Sequence, residues 1–227
     1  MWTSILLIAA AYLWGSIPTA YLLARYKYGI DIRKYGSGNV GASNLMPHTG
    51  RTVAMLLGTF DSIGKGTLPI LLLKLLGQEP WVQAAAGLAV VFAHNWSPYI
   101  RFTGGRGVAT TIGVVLGYLM WPEFLILTVV MGLLGRVLFN ELGFWTFIAM
   151  VSLPVLALIF GRPPEIIYAC IGMSLLLLAK RLTANWESPR NNYPLSIVFF
   201  CRVLWDRDVP RRNDWVKRRP QVAEPPI

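Results

Sequence analysis

The 227-residue sequence is short of charge, histidine, cysteine and acid, and each shortage removes a class of function. Charged residues make up 14% of the chain, against roughly 25% in soluble domains. With 55% of residues hydrophobic, an ordinary soluble domain is excluded and an integral membrane protein remains. The two histidines, His48 and His94, and the two cysteines, Cys170 and Cys201, form no cluster with metal-ligand spacing, which argues against a zinc centre. Cys170 lies in an apolar run and Cys201 near the C-terminus, so no disulfide framework is implied. Only 11 Asp and Glu face 21 Lys and Arg. The surplus invites nucleic acid, but it sits between apolar runs and in the tail, where it sets topology and meets anionic lipid. The expected partner is an anionic bilayer, not nucleic acid.

A spanning helix needs about 20 mostly apolar residues. Such runs occur at about 2–24, 52–76, 80–98, 108–121, 123–139, 143–161 and 165–182. They predict an all-α, polytopic membrane bundle of about seven transmembrane helices. The second run carries Asp61 and Lys65 and is expected to break near Gly64-Lys65-Gly66 and Pro69. No basic segment precedes the first run, while Arg25 and Lys27 follow it, so it reads as a retained span. Segments after the odd-numbered runs hold Arg33, Lys34, Arg51, Arg101, Arg106, Arg136, Lys180 and the tail cations; the opposite loops hold Arg162 alone. Positive charge faces the cytoplasm, which puts the N-terminus outside and the C-terminus in the cytoplasm. The membrane domain is expected over 1–182. Residues 183–227 form a basic cytoplasmic tail, whose 193–205 stretch suits either an interfacial segment or a disordered one, with disorder favoured after Asp208.

Three polar, glycine-bearing islands interrupt the hydrocarbon. The first runs Gly36-Ser37-Gly38-Asn39-Val40-Gly41-Ala42-Ser43-Asn44, the second holds Asp61, Lys65 and Gly66, and the third runs from His94 to Gly104-Gly105-Arg106-Gly107. Such backbone is costly at a membrane unless it lines a wet cavity or is buried in protein. Glycines let backbone approach a ligand, and N–H groups beside a cation suit an anion. One shared cavity for a phosphate-bearing molecule is therefore expected. Gly36-x-Gly38-x-x-Gly41 matches the dinucleotide fingerprint literally, but that motif needs a preceding strand, and a membrane span stands there instead. Ser37, Asn39, Ser43 and Asn44 can donate to phosphate or carbonyl oxygens, or simply cap their own turn. Asp61 and Lys65 stand i,i+4 in the favourable order, fit for an internal ion pair, for facing substrate, or for both. His94 and Arg106 flank a helix start suited to phosphate.

Together the islands resemble the bacterial acyl-phosphate-dependent glycerol-3-phosphate acyltransferases, the PlsY family, over about residues 8–120. The matching residues are Ser16, Ala20, Arg25, Gly29-Ile30-Asp31-Ile32-Arg33, the whole of 36–44, Asp61 with Lys65-Gly66, and His94 through Thr110. The resemblance implies a multi-pass enzyme of the bacterial inner membrane with its active site facing the cytoplasm. It would move a fatty acyl group from acyl phosphate to the 1-hydroxyl of glycerol 3-phosphate without a cofactor or metal. For that chemistry His94, Asn39 and Lys65 are expected to be catalytic. Ser37, Gly38, Ser43, Asn44, Asp61, Gly104, Gly105 and Arg106 are expected to bind substrate or phosphate. Departures from the pattern are Arg106 in place of a lysine, Ala93 in place of a glycine, Pro47 in place of a basic residue, Asn140-Glu141 in place of a serine-rich turn, and only Lys180-Arg181 and Asn185 echoing a basic C-terminal motif. A paralogue without turnover or with another acceptor, and a small organic-phosphate transporter, are the rival readings. Against transport, no inverted repeat is evident.

Overall fold

A computed structural model describes residues 2–186 and 193–211, and all its regular elements are helical among the described residues. Helices α1 (Trp2–Ser16) and α2 (Thr19–Tyr28) form one run bent at Ile17-Pro18. Then follow α3 (Ala42–Thr49), α4 (Arg51–Thr59), α5 (Leu68–Leu75), α6 (Pro80–Asn95), α7 (Val108–Gly117), α8 (Trp121–Val129), α9 (Leu142–Ile159), α10 (Pro164–Thr183) and α11 (Leu195–Trp205). A helix thus lies in each segment marked out by hydropathy. Five continuous runs are long and apolar enough to cross a membrane: Trp2–Tyr28, Arg51–Leu75, Trp121–Leu138, Leu142–Ile159 and Pro164–Thr183. Helices α6 and α7 are shorter, with 16 and 10 residues.

The expected break near Gly64 and Pro69 does not occur. Residues Phe60–Thr67 form a π-helical turn that joins α4 to α5 without interruption, and the N–H of Leu68 reaches back to the carbonyl of Ile63. Pro69 has no N–H to offer the carbonyl five residues earlier, that of Gly64. The indole of Trp14 donates to that oxygen instead, at 2.8 Å. An outside donor thus replaces the missing bond, and the helix continues with a widened turn of the kind often seen at functional sites.

Close packing explains the glycines around this turn. A Cβ on Gly66 would strike the carbonyl of Thr110, and one on Gly113 the carbonyl of Ser62. Backbones of the π turn and α7 therefore touch, as small residues allow where lipid supplies no hydrophobic drive between helices. The hydroxyl of Thr67 fixes the crossing by donating to Gly113 O at 2.8 Å. Gly15 plays the same part for α1, since a Cβ there would lie 2.7 Å from Val90 O on α6. The core behind these contacts holds Val90, Val91, Val114, Leu153 and Met173, while Leu6, Leu56, Leu125, Leu158 and Leu175 face outward.

At the start of α8, Glu123 is fully buried and pairs two-pronged with Arg162, whose Nε and Nη2 reach its two oxygens at 2.7 Å each. That hydrogen bond raises the guanidinium pKa further, against the opposing effect of burial. Arg162→Ala would leave a buried carboxylate uncompensated. It is expected to lower stability by roughly 3 kcal/mol, read as an earlier melting transition in detergent with activity retained at low temperature.

Helix α11 packs on α9 and α10 through Val198, Cys201 and Arg202, with Leu195, Phe199 and Phe200 outward. Burial raises the pKa of the Cys201 thiol. The basic residues beyond 211 lie outside the described residues.

Candidate functional site

The bend in the first run opens the site. Pro18 interrupts the ladder between α1 and α2, and the released carbonyl of Ser16 accepts from Ser97 Oγ at 2.5 Å. Ser97 lies in the turn after α6, so this bond joins the first span to the third island. Thr19, just past the bend, meets the π turn: its hydroxyl donates to Asp61 Oδ1 at 2.9 Å and accepts from Lys65 Nζ at 2.9 Å. Lys65 Nζ also lies 2.6 Å from Asp61 Oδ1, and both side chains are buried. Among the described residues, Asp61 and Thr19 take two of the three N–H donors of the ammonium, leaving one.

That ammonium borders a small cleft that is partly open to solvent. Ser16 to Thr19, Val40, Lys65, His94, Ser97, Gly104 and Gly105 line it. All three islands and the bend therefore meet at one place. His94 stacks so closely over Gly105 that any Cβ there would strike Nε2, and its ring makes no hydrogen bond among the described residues.

The first island is held by its own side chains. Asp31 opens a short turn (Ile32–Lys34) by accepting from the N–H of Arg33 at 3.1 Å, and binds that guanidinium at 2.9 and 2.6 Å. Burial alone would raise the Asp31 pKa, but the hydrogen bonds and charge of Arg33, with the charge of Lys34, outweigh it and hold the carboxyl below its usual range. Asn44, near the start of α3, donates its amide to the carbonyls of Ile32, Tyr35 and Asn39 at 3.1, 2.9 and 3.0 Å, and accepts from Ser37 N at 3.1 Å. Its donors and acceptor are spent folding the loop. Ser37 Oγ accepts from Asn39 N at 3.4 Å, and Ser43 is exposed at the start of α3. Asn39 differs: it is 6% exposed, yet its Oδ1 has no partner among the described residues. A buried acceptor left open in this way fits a donor brought by a ligand.

The third island is closed rather than open. The N–H of Gly104 donates to Asn185 Oδ1 at 3.0 Å and that of Gly105 to His94 O at 3.0 Å, so neither is a free anion donor as the sequence suggested. Gly107 precedes α7 without any side-chain cap, which leaves the first-turn N–H groups of that helix as the available donors. Arg106 turns toward the C-terminal segment, where its Nε lies 2.9 Å from Asp206 Oδ1 and its Nη1 donates to Lys180 O at 3.2 Å.

Asn185, just past α10, is noted in the sequence only as the echo of a C-terminal motif and is not counted among the expected site residues. Its amide donates to Gly38 O at 3.0 Å and Gly104 O at 3.1 Å. Its oxygen accepts from Gly104 N and, at 2.6 Å, from Lys180 Nζ, which also binds the carbonyl of Asn95. One side chain thus ties the first island, the third island and the last long helix. A left-handed conformation at Ala184 and Asn185 aims it there. The signal was an asparagine two residues past a helix whose last turn carries Lys180 and Arg181.

A family model described as glycerol-3-phosphate acyltransferase matches residues 5–188. "Glycerol-3-phosphate acyltransferase 4" of Dehalococcoides mccartyi (strain CBDB1) is 36% identical over 220 residues, covering 94% of this chain and 93% of that protein. The crystal structure of PlsY (YgiH), an integral membrane glycerol 3-phosphate acyltransferase, superimposes in its glycerol 3-phosphate form with TM-score 0.72 and 31% identity, over 79% of this chain and 88% of that one. Its lysophosphatidic acid form gives TM-score 0.70 and 30% identity over the same shares. With islands, bend and cavity in one place, and the match running through all of them, the chain belongs to the glycerol-3-phosphate acyltransferase family and is a multi-pass membrane protein.

Proposed function

We propose that the cavity binds glycerol 3-phosphate and an acyl phosphate side by side and transfers the acyl group between them. The hydroxyl at carbon 1 attacks the acyl carbon, the bond from that carbon to the phosphate oxygen breaks, and lysophosphatidate and inorganic phosphate leave. Acyl phosphate is already activated, so the protein has mainly to align two anions and stabilise the carbonyl oxygen as it gains charge. The carrying observation is the leftover N–H of Lys65, buried with Asp61 and Thr19 and bordering the same cavity as His94 and Gly105. Lys65, the open N-terminus of α7 and Arg106 meet the phosphates. Asn39 Oδ1 accepts from a glycerol hydroxyl, and His94 orients the attacking oxygen, whose proton leaves with the phosphate. Asp61 holds Lys65. Ser37, Gly38, Ser43 and Asn44 build the loop against which the glycerol moiety rests.

In this reading all seven long segments cross the inner membrane, with the N-terminus outside and the site opening to the cytoplasm. Residues 1–182 form the acyltransferase domain and 183–227 a basic cytoplasmic tail. The acyl chain enters sideways from lipid.

Purified protein given palmitoyl phosphate and glycerol 3-phosphate is expected to release phosphate and lysophosphatidate in equal amounts. Proteoliposome uptake of labelled glycerol 3-phosphate without acylation would establish transport instead. Neither product nor flux would leave a paralogue that does not turn over these substrates.

A further inference from the structure

The family model ends at residue 188 and the solved structures cover 79% of the chain, whereas the Dehalococcoides relative extends over 94%. The described part of this extra length is α11 and the turn after it. Buried polar contacts fasten it to the bundle. Arg202 pairs with Asp208 at 2.7 Å and donates to Leu182 O at 2.9 Å. Arg181, at the end of α10, donates to Val203 O at 2.6 Å and to Gly143 O at 2.9 Å. Arg207 pairs with Glu141 at 3.0 Å. Gly143 lies against the Trp205 backbone so tightly that a Cβ would strike its carbonyl.

Asp206 closes α11 in a left-handed conformation, φ 56° and ψ 39°, with its N–H on Arg202 O. Few non-glycine residues adopt this geometry, though aspartate does so more readily than most. From there its carboxylate meets the Nε edge of Arg106: Nε donates to Oδ2 at 3.1 Å and lies 2.9 Å from Oδ1, which accepts no hydrogen bond among the described residues. Nη1 is taken by Lys180 O, and Nη2 has no partner among the described residues. Arg106 itself follows directly on the two glycines of the cavity wall.

We propose that Asp206 is a positioning residue for Arg106: the C-terminal element clamps one edge of the guanidinium so that the remaining N–H groups stand ready for a substrate phosphate. The proposal rests on the reading of Arg106 as a phosphate-binding group. A carboxylate beside such a cation could instead compete with the phosphate and act as a plug. The fastening argues otherwise, because a plug must leave, and this element is tied down by three other arginines that do not touch Arg106. A clamp that stays removes the rotamer freedom of a long side chain before the anion arrives.

The test uses the full chain, with kcat, the KM of each substrate and the melting temperature measured for wild type, Asp206→Asn, Asp206→Glu and Arg207→Gln. Asp206→Asn is expected to raise the KM of one phosphate substrate about tenfold at unchanged melting temperature, with Asp206→Glu recovering most of the loss. Arg207→Gln, which loosens the tail without touching Arg106, leaves KM unchanged. In an Arg106→Gln background, Asp206→Asn adds no further loss. If Asp206→Asn does not fold, Asp206→Ser takes its place with the same expectations. A gain in activity from Asp206→Asn would make the contact a plug and overturn the proposal. So would an unchanged KM, an equal shift from Arg207→Gln, or losses that multiply in the Arg106→Gln background. Wild type without any turnover removes the functional reading itself, whereas an active wild type with an indifferent Asp206 removes this inference alone.

Discussion

Lys65→Met is expected to reduce acyl transfer about a thousandfold, the upper range for removing one preorganised donor aimed at transition-state charge. The size follows from where the ammonium sits. Its side chain is 1% exposed, so water cannot replace it, and two of its donors are fixed by Asp61 and Thr19. The third therefore meets a substrate oxygen with no reorganisation. The same substitution strands Asp61, itself 3% exposed, as an uncompensated buried charge. Breaking a buried pair from one side costs roughly 3–5 kcal/mol, so loss of activity could be loss of fold. The double variant Asp61→Asn/Lys65→Met separates the two. Removing both charges is expected to restore the melting temperature in detergent while leaving phosphate release near background. A double variant with wild-type kcat would show that the pair only holds the π turn to α2.

Much of this arrangement was legible in the sequence, because polar residues inside hydrocarbon have few explanations. Asp61 and Lys65 in an apolar run had to pair or face a cavity, and both residues have a partner. The glycine islands had to be buried or wet, and Val40, Gly104 and Gly105 share one cavity wall. What the sequence did not reveal was which groups the fold would consume. Gly104 and Gly105 read as open donors, yet Asn185 and His94 O take their N–H groups. Asn44 reads like Asn39, but its amide holds three carbonyls of its own loop whereas Asn39 Oδ1 stays unpartnered. Pro69 reads as a helix breaker, and only the distant indole of Trp14, 50 residues away in sequence, makes the π turn tolerable. Each miss is a hydrogen bond that exists only once the chain has folded, across the bundle or within one loop, and residue spacing alone does not assign those. The contact between Asp206 and Arg106, exactly 100 residues apart, belongs to the same class.

Asn185→Ala carries the second large expected effect, and it tests whether the cavity wall is built or incidental. The substitution removes an acceptor from Gly104 N and Lys180 Nζ, and a donor from Gly38 O and Gly104 O. Asn185 is 9% exposed, so little water reaches the groups left behind. Each unsatisfied buried group costs roughly 1–3 kcal/mol, and relaxation of the loop will recover part of it. A net loss of about 3 kcal/mol in stability is the expected outcome. Activity should fall further than stability accounts for, because Gly38 and Gly104 belong to the two islands that meet the substrates. The backbone bond from Val40 N to Gly104 O at 3.2 Å still joins the islands, but without the side-chain tie to Gly38 O the first island can shift against the third, and near-attack alignment is sensitive to shifts of about 1 Å, worth about a hundredfold. The comparison variant is Asn185→Asp, which keeps the acceptor for Gly104 N and Lys180 but turns the donor toward Gly38 O and Gly104 O into a repelling oxygen. It is expected to hold the Lys180 side while still opening the island junction, so its kcat should fall nearly as far as that of the alanine variant at a higher melting temperature. If both variants turned over like wild type, the link between the islands would be a folding contact, and the alignment of the two substrates would have to come from Lys65 and the first span alone.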